Sequence, residues 1–210
     1  WGIQDISPDN KKLVLGEYIS INESYIWLLD IETGKLSEVT DRNSKGISQS
    51  NATFSNISNE IWFVTDKDNE FQRLAAMDLN TKNTTYYTSN IPWNVESFNL
   101  SKDKKTIVFI TNEAGLNKMY LMNTGTKVYK EVKNLPIGLI SDAHFTKDNQ
   151  NIFFNQSTAQ SASDVYQLNI KTAKIERWTE SELGEMQPSD MSVPKLIEWK
   201  SFDDLKISGF

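Results

Sequence analysis

The 210-residue chain carries 22 Lys and Arg against 28 Asp and Glu, a net charge of −6, with 38% hydrophobic and 11% aromatic residues. That composition supports a globular core, and the acidic balance argues against nucleic acid or an anionic membrane as partner, since either needs a basic face to displace counterions. The absence of cysteine excludes a disulfide framework, a thiolate metal site and a Cys nucleophile.

No run approaches the ~18 apolar residues that span a bilayer. The start, Trp1-Gly2-Ile3, has neither a signal peptide nor an initiator Met and reads as a cut end. Compartment, whether cytoplasmic or exported, and oligomeric state stay open at this level.

In chain order, the turn Ser7-Pro8-Asp9-Asn10 precedes the apolar strand Leu13-Val14-Leu15, then a strand Ile26 to Asp30, a turn Thr33-Gly34-Lys35 and an alternating strand Leu36 to Thr40. Asp caps such turns with its own side chain and Asn tolerates the left-handed conformation. The order recurs with Ser55 to Asn59, Ile61 to Val64, Leu74 to Asp78 and Thr81-Lys82-Asn83. It recurs with Ser101 to Lys104, Ile107 to Ile110, Met119 to Asn123 and Thr124-Gly125-Thr126, where Lys104 stands in place of Asn and makes the weakest match. The last round is Thr146 to Asn149, Ile152 to Phe154, Val165 to Asn169, Thr172-Ala173-Lys174 and Ile175 to Thr179.

Two anchor sets measure the period. Ser7, Ser55, Ser101 and Thr146 are spaced 48, 46 and 45 residues apart, and Asp30, Asp78, Asn123 and Asn169 are spaced 48, 45 and 46. Continuous apolar second strands fit sheets covered on both faces, and alternating fourth strands fit an outer edge. A period in the mid-forties with four strands per unit is the signature of β-propeller blades. The fold class expected is therefore all-β: four four-stranded antiparallel blades at about 1–46, 47–92, 93–139 and 140–180. The period stops after Glu180; 181–194, with Gly184, Pro188 and Pro194, reads as a linker, and 195–210 as a separate strand pair around Asp203-Asp204.

The strings SPDNKKLVL and IWLLDIETGK resemble a widely shared WD-repeat-like or TolB-like blade. More specific are TDKDNEFQRLAAMDL, Thr65 to Leu79, and TNEAGLNKMYLMN, Thr111 to Asn123, which resemble hairpins in propellers of the prolyl-oligopeptidase family of serine peptidases. PKLIEWKSFDDLKISGF, Pro194 to Phe210, is similar to the junction where that family leaves its propeller for the first strands of its α/β-hydrolase domain, with Asp203-Asp204 where Asp-Gly is usual. The acylaminoacyl-peptidase and dipeptidyl-peptidase-like branches are the nearest. The resemblance implies a ring of about seven or eight blades, further blades before Trp1, a hydrolase domain of the same parent chain as partner and a peptide substrate. It implies a non-catalytic propeller that gates peptide access and contributes substrate contacts. A stand-alone TolB-like propeller acting as a protein-binding module is the alternative.

The chain itself carries no catalytic triad: Gly46-Ile47-Ser48-Gln49-Ser50 fails the G-x-S-x-G elbow at its last position, and there is one His. No cofactor or metal is expected, because Asp66-Lys67-Asp68-Asn69-Glu70 lacks the central Gly and distal Glu of a calcium loop. Candidate substrate contacts are Glu70 and Arg73 on that hairpin, Trp93 and Glu96 entering the third unit, and His144. The resemblance gives a propeller acid a role, capture of a substrate α-amino group by a charge-assisted hydrogen bond. Each has a blander reading: a solvated hairpin for Glu70 and Arg73, packing between blades for Trp93. His144 falls in a polar column with Asp5, Thr53 and Asn99, which suits a first strand facing water.

Overall fold

The computed structural model describes residues Trp1–Phe210 and contains four four-stranded antiparallel sheets, one two-stranded sheet and no α-helix. The first sheet is β1 (Gly2–Ile6), β2 (Lys12–Ser20), β3 (Glu23–Asp30) and β4 (Leu36–Glu38), paired in sequence order. The second is β5 (Gln49–Phe54), β6 (Glu60–Thr65), β7 (Arg73–Asp78) and β8 (Thr84–Tyr86). The third is β9 (Val95–Leu100), β10 (Thr106–Glu113), β11 (Leu116–Asn123) and β12 (Tyr129–Glu131). The fourth is β13 (Leu139–Phe145), β14 (Asn151–Thr158), β15 (Ser161–Asn169) and β16 (Ile175–Arg177). A 3₁₀ turn at Pro188–Asp190 precedes β17 (Ile197–Lys200) and β18 (Lys206–Gly209), which pair with each other alone.

Both anchors of the repeat are side chains that close turns. Ser7 Oγ accepts from Lys12 N–H at 2.9 Å and donates to Asp9 at 2.6 Å; Ser101 does the same with Thr106 and Asp103, at 2.9 and 2.6 Å. The second anchor accepts the backbone N–H three residues on: Asp30 from Thr33 and Asp78 from Thr81 at 2.8 Å, Asn123 from Thr126 and Asn169 from Thr172 at 2.9 Å. These bonds hold the following residue left-handed whatever its type, so Gly34, Lys82, Lys127 and Ala173 occupy equivalent places at φ 67, 61, 62 and 56°. Lys104, the weakest match in the sequence, also turns left-handed at φ 58°, beside Asn10 at 57° and Asn149 at 58°, because Ser101 and Asp103 fix its turn.

The chain divides into two compact units, Trp1–Phe98 and Asn99–Phe210. In the first, Val14 and Ile26 pack with Phe54, Ile61, Phe63 and Ala75, so that one face of the β1–β4 blade is buried in a common core with the β5–β8 blade. Its other face, by the strand register, carries Leu13, Leu15, Trp27 and Leu29, and Trp1 lies 5.2 Å from Trp27. In the second unit Val108, Ile110 and Met119 pack with Ile152, Phe154 and Leu168.

The first strands are irregular. Register shifts between Ile3 and Asp5, Ser50 and Thr53, and Ser141 and His144 mark bulges, with Asn51 and Asp142 at φ 56 and 52°. Bulges release backbone groups that the neighbouring blade uses: Ala52 N–H donates to Gln4 Oε1 at 2.6 Å and Phe54 N–H to Asp5 at 2.9 Å.

Candidate functional site

Each blade has a hairpin between its second and third strands, at the end where the chain crosses to the next blade. Ser24 N–H donates to Ile47 O at 3.0 Å and Asp66 N–H to Ser48 O at 3.4 Å in the first unit, and Asn117 N–H to Gly138 O at 3.0 Å in the second.

In the first unit the 66–72 hairpin holds Glu70, with Arg73 opening the strand after it. Asp66 accepts from Ser48 N–H at 2.8 Å, Asn69 Oδ1 accepts from Phe71 N–H at 2.8 Å, and Asp68 is left-handed at φ 56°. Asp66 thus ties the hairpin to the preceding crossover and Asn69 braces its turn, and no group of three or more His, Cys, Asp or Glu side chains is placed to hold a metal ion. Gln72 N–H donates to Asn94 Oδ1 at 2.8 Å and Val95 N–H to Gln72 O at 2.9 Å, tying the hairpin to the crossover. This brings Phe71 and Trp93 to 6.3 Å between ring centroids and gathers Glu70, Trp93 and Glu96 at one end of the blade, both glutamates exposed.

Arg73 does not join that group. It is 7% exposed, its guanidinium 4.0 Å from the Tyr86 ring centroid, donating to Lys67 O and at 3.3 Å to Ser89 Oγ. His144 belongs to the second unit, exposed on β13, where Asn99 Nδ2 donates to its Nδ1 at 3.1 Å and to Ala143 O at 3.0 Å. The same column in the first unit pairs Thr53 Oγ1 with Asp5 Oδ2 at 2.5 Å. The polar column Asp5, Thr53, Asn99 and His144 therefore bonds one blade to the next within each unit. Asp5 is engaged in this way by Thr53 and Phe54, and Nδ1 of His144 by Asn99.

Two ionic clusters were not foreseen from the sequence. At the 113–116 hairpin, Glu113 accepts from Lys118 Nζ at 2.6 Å, Tyr120 OH at 2.7 Å and Thr111 Oγ1 at 3.0 Å. Burial pushes the Glu113 carboxyl up, but those three donors outweigh it and leave the group below its ordinary value. Burial and the Glu113 carboxylate together raise the Tyr120 phenol well above its usual range.

The second cluster sits where the chain leaves β16. Asp164 on β15 is fully buried and accepts from Arg177 Nη2 at 2.7 Å, Thr179 Oγ1 at 3.0 Å and Ser181 N–H at 2.8 Å. Gln160, in the 158–161 hairpin, donates to Pro188 O at 3.1 Å and Met191 O at 3.3 Å, so the linker is strapped over that hairpin. A cavity of about 400 Å³ lies beneath, lined by Ile137, Tyr166, Arg177, Pro188, Val193 and Pro194 among others. Farther along, the Phe210 ring approaches the 113–116 hairpin so closely that a Cβ on Gly115 would lie 3.0 Å from it. Within the second unit, linker and terminal segment thus both lie against the hairpin end of the blades. A larger apolar groove of about 550 Å³, lined by Leu121, Val128, Val132, Leu168 and Ile170 among others, opens toward the opposite turns at Thr126 and Ala173.

Residues 2–181 match the family model described as the N-terminal β-propeller domain of prolyl oligopeptidase. Among solved structures, a prolyl endopeptidase aligns with TM-score 0.78 at 14% identity, covering 97% of this chain and 29% of that one. Prolyl oligopeptidase B from Galerina marginata aligns with TM-score 0.77 at 14% identity, over 97% of this chain and 30% of that one. TolB from Acinetobacter baumannii aligns with TM-score 0.64 at 20% identity, over 85% of this chain and 43% of that one. At these identities the structural likeness carries the fold alone, and the chain spans about three tenths of the two peptidase chains. No curated protein matches the sequence.

Proposed function

The chain belongs to the prolyl oligopeptidase family as part of its N-terminal β-propeller domain, and on that premise we propose that it is the non-catalytic portion of a serine peptidase, gating peptide access to a hydrolase domain that follows Phe210. The observation that carries this reading is the pairing of a propeller match over 2–181 with a terminal hairpin, β17–β18, that belongs to none of the four blades. The linker and Phe210 lie against the 158–161 and 113–116 hairpins, so a domain continuing from Phe210 starts at that end of the second unit. Size exclusion is this segment's contribution, since the hydrolytic residues would come from the following domain.

On this reading Glu70, Trp93 and Glu96, gathered at the hairpin end of the first unit, are the substrate-facing set. Either carboxylate would bind a peptide α-ammonium by a charge-assisted hydrogen bond, as a dipeptidyl-peptidase-like branch would require. Arg73 and His144 act instead as structural bonds within their units.

Labelling of the full-length protein with a serine-directed fluorophosphonate tests the proposal. A labelled active-site serine located after residue 210 is expected; folded full-length protein that takes no label refutes it. The likeness to TolB supports a second reading, a free-standing binding propeller, for which the absence of label is the expected result.

A further inference from the structure

The cavity beneath the linker lies wholly within the second unit, and its walls carry groups that nothing in the chain satisfies. Phe154, Tyr166 and Arg177 stand side by side across β14, β15 and β16, and Gln156 and Asp164 form the next row on the same face. Tyr166, which lines the cavity, is 8% exposed with its ring stacked on Phe154 at 5.8 Å, and its hydroxyl has no hydrogen-bond partner. Arg177 gives Nη2 to Asp164 at 2.7 Å and Nε to Thr179 O at 2.9 Å, which fixes the guanidinium and leaves Nη1 unbonded. Gln156 is fully buried, and neither atom of its amide is bonded. Buried polar groups are seldom left so, and here a tyrosine and a glutamine share one face with an unspent guanidinium N–H.

We propose that this cavity binds a small organic carboxylate with an apolar body. Its volume of about 400 Å³ suits such a ligand. Arg177 is the one charged residue on its walls, and the unspent groups there, Arg177 Nη1 and Tyr166 OH, can both donate. Asp164 is already taken, since it accepts from Arg177 Nη2, Thr179 Oγ1 and Ser181 N–H. A carboxylate offers acceptors to both free donors, with a charge-assisted bond to Arg177. Gln156, diagonal to Tyr166 across the ladder, adds an amide donor. Ile137 and Val193 line the same cavity while 60 and 63% exposed, apolar surface that a ligand body would cover. Because Gln160 bonds Pro188 O and Met191 O, the linker is held as one wall of the site, and a bound ligand would tighten it there.

Calorimetric titration of the full-length protein with phenylacetate tests the proposal. Saturable binding at one site per chain is expected, with phenethyl alcohol, which lacks the charge, about tenfold weaker or more. Tyr166→Phe removes only a hydroxyl that holds nothing in the fold, and should weaken phenylacetate binding about tenfold. Hydrogen exchange should slow on binding at 158–161 and 188–194, which separates this cavity from binding anywhere else on the protein, a peptidase active site included. Absence of saturable binding, equal binding of the alcohol, undiminished binding by Tyr166→Phe, or protection confined to other segments each overturns the proposal. A crystal soaked in phenylacetate that holds only water between Tyr166 and Arg177 does the same. The site does not depend on the peptidase reading: protein that takes no fluorophosphonate label is still expected to bind the carboxylate.

Discussion

Asp164 gives the sharpest quantitative expectation, because one buried carboxylate holds β15, β16 and the start of the linker. It is fully buried and accepts from Arg177, Thr179 and Ser181 at 2.7, 3.0 and 2.8 Å. Hydrogen bonds to a charged group contribute about 1.5–3 kcal/mol each, but they share one acceptor group and Arg177 keeps access to water, so they do not add in full. Asp164→Ala is expected to cost about 3 kcal/mol, the low end for breaking a buried pair, and Asp164→Asn, which keeps an acceptor for Thr179 and Ser181, about 1–2 kcal/mol. For a domain of this size the alanine change lowers the melting temperature by roughly 6–12 °C, read as the propeller transition in tryptophan fluorescence. Burial pushes the Asp164 carboxyl up, and the bonds from Ser181, Thr179 and Arg177 outweigh it, holding the folded-state value below 3.8. With the folded value depressed, the stabilisation is fully present above the unfolded-state value of about 3.9 and is lost as pH falls through the folded one. The gap between wild type and Asp164→Asn should therefore narrow as pH drops from about 5 toward 3. An alanine variant as stable as wild type, or a gap that ignores pH, refutes the assignment of Asp164 as the exit clamp.

Arg73→Lys keeps the charge but loses the planar stack on Tyr86 at 4.0 Å; urea unfolding should show a loss of about 1–2 kcal/mol with KM for a short peptide unchanged, and the reverse pattern would make Arg73 a substrate contact. At Gly138 an added Cβ would sit 1.9 Å from the Ser157 carbonyl oxygen, so Gly138→Ala should destabilise by about 2–3 kcal/mol and speed hydrogen exchange at the Asn117 amide, which donates to Gly138 O; unchanged exchange would show that β13 has slack. Lys104→Asn places the residue found in the equivalent Asn10 and Asn149 turns at a left-handed site and should gain about 0.5 kcal/mol in denaturant unfolding, a loss showing instead that the lysine side chain does more than tolerate its backbone.

The repeat was readable because each anchor is a chemical necessity. A hydroxyl at Ser7, Ser101 or Thr146 bonds back across a turn to the start of the next strand, and an Asp or Asn at 30, 78, 123 or 169 accepts the amide three residues on. Ser55 is the instructive departure. Ile57 stands where its counterparts have Asp9, Asp103 and Asp148, so Ser55 Oγ accepts from Ile57 N–H at 3.2 Å and Glu60 N–H turns to Ile57 O. Strand ends were less legible: β2, β10 and β14 run on beyond their apolar runs to Ser20, Glu113 and Thr158. Pairing with the third strand carries polar residues into a hairpin regardless of hydropathy.

The candidate site was legible only where neighbours in sequence are neighbours in space. Hairpin 66–72 and crossover 93–95 come together because Gln72 bonds Asn94 and Val95, and nothing in the periodic pattern marks that contact. Arg73 illustrates the limit: it lies three residues from Glu70, yet strand alternation sends it inward to Tyr86. The polar column was visible as composition, but its purpose depends on bulges, which no hydropathy pattern reveals. A bulge at Asn51-Ala52 frees an amide, and Gln4 of the preceding blade takes it at 2.6 Å. Blades in each unit are therefore joined by polar bonds at their first strands as well as by apolar cores. That division of labour spends the first strands on joining blades, and it leaves the hairpin end of the first unit with Glu70 and Glu96 exposed and Phe71 facing Trp93 at 6.3 Å between ring centroids.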